Sequence, residues 1–181
     1  MSNTIPGKVV TGLVRFSYVS VFQPKAVLDS NPKYSVTLLI PKDDKDGLAG
    51  IKKAIDEAKE VGKSQWGGKI PKNLKEPLRD GDEEDKGEGF EGHYFVNAYS
   101  SEQYPPTIVD RDREAILDAQ ELYSGCYGRA SIKFYPYAKP SKGVACGLNA
   151  LQKIKDGDRL DGGASAKDFD DDFVDDFDDI L

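Results

Sequence analysis

Apolar and polar positions alternate with a period of two over several stretches of the chain and with a helical period over one. The segment KVVTGLVRFSYVSVF (8–22), rich in β-branched and aromatic residues, predicts a long first strand, with Gly12 marking a bulge or bend. In KYSVTLLIP (33–41), Tyr34, Val36, Leu38 and Ile40 share one face, and Pro41 stops the strand. Leu48, Ile51, Ile55 and Ala58 then recur at helical spacing between Asp46, a suitable cap, and Gly62, a suitable end. Strand character returns in HYFVNAYS (93–100), CYGRASIKFYPY (126–137) and VACGLNALQKI (144–154). EQYPPTIVDRDREAI (102–116) holds a Pro-Pro turn and a short extended piece, and DAQELYSG (118–125) reads as a short helix or turn. Two long connections remain: a basic one at 63–79 and an acidic, glycine-rich one at 80–92, expected to be a mobile surface loop that buries little. KDGDRLDGGASA (155–166) reads as a linker.

Strands with one helix among them, and no strand–helix alternation, argue against a parallel α/β sheet. The pattern predicts a mainly β protein: an OB-fold-like antiparallel Greek-key barrel with one inserted helix. Residues 1–160 are expected to form that domain and residues 161–181 a disordered acidic tail. Charge sharpens the division. Residues 161–181 hold nine aspartates and one lysine, a net of −8, so the chain's −7 leaves +1 for residues 1–160. A near-neutral body with an acidic tail points to nucleic-acid binding or an interaction tail.

Composition narrows the classes further. Two cysteines, Cys126 and Cys146, are too few for a disulfide scaffold and read as buried thiols; one histidine, His93, makes a Cys/His zinc site a poor fit. No cofactor is called for. No apolar run approaches the roughly 20 residues of a membrane span, and the N-terminus lacks the features of a signal peptide, so a cytoplasmic protein is expected.

The strand CYGRASIKFYPY carries the clearest candidate chemistry. One face takes Gly128, Ala130, Ile132 and Phe134, suited to a barrel interior; the other takes Tyr127, Arg129, Ser131, Lys133, Tyr135 and Tyr137. A row of rings and cations suits single-stranded nucleic acid, because rings stack on bases and cations hold phosphates. The same row also suits packing beneath a loop or at a subunit interface. Arg15, Tyr18 and Lys33 on the first two strands add to the set, as do Lys69 and Lys72 around Trp66. Trp66 fits either a base clamp or a loop anchor. GEGFEG (87–92) has the G-x-G-x-x-G spacing but follows an acidic loop and precedes a strand, the wrong context for a dinucleotide site. Asp110 and Asp112, in DRDRE, leave open a metal-dependent nuclease, although interleaved arginines favour a solvated charge ladder. A protein-interaction adaptor is the third reading.

YSGCYGRASIKFYPY, followed by KGVACGLNALQKIKDGDRLDGG, resembles the phage-type single-stranded DNA-binding proteins, which have an OB-fold and an acidic C-terminal tail. KVVTGLVRFSYVSVFQPK and KYSVTLLIPK are similar to that family too. The resemblance implies a non-enzymatic protein that coats single-stranded DNA, cooperatively or as a homodimer, in replication and recombination within the host cytoplasm. It also implies tail partners such as a DNA polymerase, a helicase-primase or a recombination nuclease. The tail KDFDDDFVDDFDDIL repeats Phe169, Phe173 and Phe177 at spacings of four among aspartates, ending in Asp178, Asp179 and Leu181. Carboxylates with spaced rings offer a basic groove the same two features as phosphates with bases. The tail is therefore expected to dock on a partner and to compete for the protein's own DNA site.

Overall fold

The computed structural model describes residues 5–26 and 31–160. The single first strand expected from the sequence is two, β1 (Lys8–Val10) and β2 (Val14–Lys25), with Gly12 in the break between them. Then follow β3 (Lys33–Pro41), α1 (Lys45–Gly62), a 3-10 turn (Lys63–Gln65), β4 (Arg79–Asp80), α2 (Gly81–Glu84), β5 (His93–Ser101), β6 (Thr107–Val109), β7 (Tyr127–Tyr137) and β8 (Gly143–Lys155).

The pairings β2–β3, β3–β5, β5–β8, β8–β7 and β7–β2 return to their starting point, so five strands close into a barrel. Four of these pairings are antiparallel. The closing seam is parallel, with Tyr99 opposite Gly147. A parallel seam arises because β5 and β8 are not consecutive: the chain reaches β8 through a long connection and the β7–β8 hairpin. This is the Greek-key barrel of the OB-fold. β1 continues along β7, and β6 adds to the outer edge of β8.

Alternation fills the barrel. Phe16, Val36, Leu38, Ile40, Val96 and Ala98 point inward, where they meet Gly128, Ala130, Ile132 and Phe134 from β7. The inward face of β7 is the one its sequence predicts. Helix α1 adds the stripe Leu48, Ile51, Ala54, Ile55 and Ala58 to the same core. Its cap is Asp44 rather than Asp46: the Asp44 carboxylate accepts from the Gly47 N–H at 3.1 Å, and Asp46 lies within the first turn, where its charge suits the helix dipole. Cys126 and Cys146 are free and buried, and burial pushes both thiols above their ordinary pKa, which keeps them protonated and unreactive at neutral pH.

The helix end explains the tryptophan. Trp66 is 5% exposed, and its indole N–H donates to the Tyr137 carbonyl at 3.0 Å. The ring fits because residue 62 has no side chain: a Cβ there would lie 2.6 Å from both Pro136 Cβ and Trp66 Cη2. In an ordinary helix, Gly→Ala adds about 1 kcal/mol of stability, whereas overpacking costs about 1–3 kcal/mol. Gly62→Ala is therefore expected to destabilise the protein, read as a lower midpoint in urea unfolding followed by tryptophan fluorescence.

Candidate nucleic-acid interface

The register that fills the core also fixes what faces outward. Across β3 and β5, Ser35 lies opposite Tyr99, Thr37 opposite Asn97, and Leu39 opposite Phe95, all on the outer face, with Lys33 opposite Ser101 at the end of the row. Strand β2 borders this face with Arg15 opposite Leu39 and Ser17 opposite Thr37. By simple alternation Tyr18 would turn inward beside Phe16. A bulge after Ser17 prevents this: Tyr18 takes φ of 47°, and its ring stands out over the β3–β5 face, 65% exposed. A non-glycine residue in this left-handed region costs roughly 1 kcal/mol or more, held by the surrounding sheet.

The acidic excursion is corrected from an open loop to a packed flap. Asp80 caps α2 by accepting from the Asp82 and Glu83 N–H groups. Lys42 Nζ lies 2.7 Å from Asp80 and 2.8 Å from Asp82. Arg79 pairs with Glu84, and its guanidinium lies 4.8 Å from the Phe95 ring centroid. These pairings absorb charge that the composition suggested would keep the segment in solvent. Phe90 is buried against Leu39 and packs edge-on to Phe95, with centroids 5.1 Å apart. The glycines of the G-x-G-x-x-G spacing, Gly87, Gly89 and Gly92, all have positive φ, so they serve the turns of the flap. Between flap and sheet lies a pocket of about 250 Å³ walled by Tyr18, Lys86, Phe90, Phe95, Asn97 and Tyr99.

One end of this face is basic and aromatic. Arg15 and Lys155 lie over the Tyr127 ring at 5.3 and 5.0 Å; Lys153 and Arg159 lie over Tyr123 at 5.4 and 4.9 Å. Arg15 is oriented by donating to the carbonyls of Gly125 and Asp158. Residues 156–160 are consequently not a free linker. Tyr123 Oη donates to Asp156 or the Gly157 carbonyl, the Leu160 N–H donates to the Ser124 carbonyl, and the Leu160 side chain joins Leu39, Phe90 and Phe95.

The structure divides the sequence-predicted residues. Arg15, Tyr18 and Lys33 belong to the β3–β5 face, and Tyr127 joins them through Arg15. Arg129, Lys133, Tyr135 and Tyr137 do point out of β7. Round the barrel, however, β2 separates β7 from β3 and β8 separates it from β5, so this row turns to the other side. Arg129 Nε donates there to the Thr11 carbonyl. Lys69 and Lys72 are exposed in a segment tied to the β7–β8 hairpin by the Lys75 N–H, which donates to the Lys142 carbonyl. Trp66 is corrected from a base clamp to a loop anchor, since its ring is enclosed. Phe169, Phe173, Phe177, Asp178, Asp179 and Leu181 lie outside the described residues. Sequence reasoning missed Phe90, Phe95, Asn97 and Tyr99. The last three alternate with Tyr94, Val96 and Ala98 in HYFVNAYS, a readable signal; Phe90 had none, because nothing local brings the flap over the sheet.

Asp110 has a structural occupation. Its Oδ1 accepts from the N–H groups of Asp112 and Glu114 at 2.8 and 3.0 Å, which shapes a tight turn. Among the described residues no group of three or more His, Cys, Asp or Glu side chains is arranged to hold a metal ion, and no helix is long and apolar enough to cross a membrane.

A closed OB barrel with an aromatic, base-flanked groove across its central strands defines a protein of the oligonucleotide-binding class. Within that class, residues 7–181 match the family described as the Enterobacter phage Enc34 ssDNA-binding protein, and the chain belongs to that family. It is 34% identical over 178 residues to putative protein p50 of Acyrthosiphon pisum secondary endosymbiont phage 1, covering 91% of this chain and 93% of that one. A solved structure of the single-stranded DNA-binding protein from bacteriophage Enc34 in complex with ssDNA superposes with a TM-score of 0.71 at 28% identity, over 88% of this chain and 96% of that one. The bacteriophage T7 single-stranded DNA-binding protein shares the fold, with a TM-score of 0.61 at 15% identity over 93% and 95% of the two chains.

The flap is expected to respond to acid. Hydrogen bonds from Lys42 hold the Asp80 and Asp82 carboxyls below the usual carboxylate range. Their stabilising contribution is complete above the unfolded carboxylate pKa of about 4 and is lost as pH falls through the depressed values. The Gly92 N–H, which donates to Asp82 Oδ1, should lose hydrogen-exchange protection, corrected for intrinsic rate, over that acid range. Lys42→Met should weaken its protection already at neutral pH.

Proposed function

We propose that this chain binds single-stranded DNA, without cutting it, along the outer face of β3 and β5. The observation that carries the reading is a pocket flanked by two exposed rings, Tyr18 and Tyr99, over the buried Phe90 and Phe95, with Lys86 at its wall and Arg15 and Lys33 on the same face. Exposed rings stack on bases, and cations neutralise phosphates. Membership of a family of single-stranded DNA-binding proteins, with one relative solved in complex with ssDNA, supports it. The nuclease reading loses its main support, because the Asp110 carboxylate is engaged in its own turn.

The domain expected over 1–160 is the binding unit, and 161–181 is its regulatory tail. The described chain ends with Leu160 packed beside Phe90 and Phe95, so the tail begins at the rim of the groove. From there its aspartates and its Phe169, Phe173 and Phe177 compete with DNA for the groove; once displaced, they dock on replication or recombination proteins such as a polymerase, a helicase-primase or a nuclease.

Titration with single- and double-stranded oligonucleotides at two salt concentrations tests the central reading. Preference for the single strand and a steep salt dependence are expected; equal affinity for both forms would overturn it. Tyr18→Ala should weaken binding by about 1–3 kcal/mol, the range for one stacked base, whereas Tyr135→Ala on the far side of the barrel should change it little. Deleting residues 164–181 should tighten binding, most at low salt. Unchanged affinity would leave the tail a docking role only.

A further inference from the structure

The floor of the β3–β5 pocket holds one polar pair among rings. Thr37 Oγ1 donates to Asn97 Oδ1 at 2.7 Å. Asn97 stands between Phe95 and Tyr99 on the outer face of β5, and its side chain lines the pocket. An amide has two ends of opposite character. With the carbonyl end turned to the Thr37 hydroxyl, the Nδ2 end turns away from it, and among the described residues it donates to no protein acceptor. The pocket therefore presents donors at its floor and aromatic faces at its walls.

We infer that this pocket is a base-reading subsite, in which Asn97 Nδ2–H donates to a ring carbonyl of a base, such as thymine, stacked between Tyr18 and Tyr99, with the Thr37 hydroxyl holding the carbonyl end of the amide. The inference rests on the proposed binding of single-stranded DNA and goes beyond it. Stacking alone tolerates every base, since each has a π face. A fixed donor favours a base whose edge offers a carbonyl, and a buried donor left without a partner carries a penalty. With Tyr18 turned outward and Phe90 packed on Phe95, a cavity of about 250 Å³ remains that Asn97 helps to line.

Fluorescence titration of the full-length protein with an oligothymidylate, and with an oligomer of the same length built from the difluorotoluene isostere of thymine, separates the two contributions. The isostere keeps the shape and stacks at least as well but has no carbonyl acceptors. The native protein is expected to bind oligothymidylate at least about fivefold more tightly, the scale of one net hydrogen bond. Asn97→Ala should bring that ratio close to one while keeping measurable binding of both oligomers. Thr37→Val, which keeps the shape and removes the orienting hydroxyl, should shrink the ratio more than it lowers overall affinity. A native ratio of one with firm binding of both oligomers would overturn the subsite and leave single-stranded DNA binding standing, as would a ratio unchanged in both variants. Failure of the native protein to bind oligothymidylate at all would overturn both readings.

Discussion

The continuous nine-residue register between β3 and β5 is the constraint on which the rest depends. In a strand, neighbours alternate faces, so the register that sends Val36, Leu38, Val96 and Ala98 into the core also sends Thr37, Leu39, Phe95, Asn97 and Tyr99 outward. A one-residue slip would bury the Thr37–Asn97 pair and expose the core. The hydrophobic core thus holds the sheet side of the groove in place, and the flap supplies its other wall.

The outer face then poses its own problem. Leu39 and Phe95 are apolar and would stand bare on a barrel exterior. The flap answers this with Phe90, and the chain end answers it with Leu160. The flap is stitched down at its margins by Lys42, Asp80, Asp82, Arg79 and Glu84. Exposed pairs of this kind are each worth little, so Phe90 supplies most of the attachment. Only part of the face is covered, and the uncovered part is where Tyr18 stands under backbone strain. A residue held in a sparsely populated conformation at a groove is the pattern expected where function, rather than stability, sets the geometry.

Charge is divided in the same spirit. Several outward cations near the groove lie over rings, as Arg15 and Lys155 do over Tyr127. Such stacking holds long flexible side chains in place before any ligand arrives, which lowers the entropy lost when one binds. The tail carries the opposite charge on a separate segment.

Much of this was legible in the sequence. The strands, the helix and its buried stripe, the interior face of β7 and the OB class all followed from periodicity, because burial imposes a local pattern on each element. The candidate site was legible in part. Arg15, Tyr18, Lys33 and Tyr127 were found from their residue types, but Arg129, Lys133, Tyr135 and Tyr137 form an equally convincing row that lies on the other side of the barrel. Within one strand, outward is a single direction; in a closed barrel it becomes five directions, and only the order of strands tells them apart. The Trp66 ring was as suited to a base as to a protein pocket until Gly62 and the Tyr137 carbonyl enclosed it. The acidic flap was misread because its composition describes charges without their partners, and Lys42 and Arg79 reach it from other elements. The sequence by itself determined which faces of the strands and of the helix are buried and which class of ligand the surface suits, since these are properties of local pattern and side-chain chemistry. The tertiary structure alone decided which rings and cations share one groove, because that depends on barrel closure and on contacts between segments far apart in the chain.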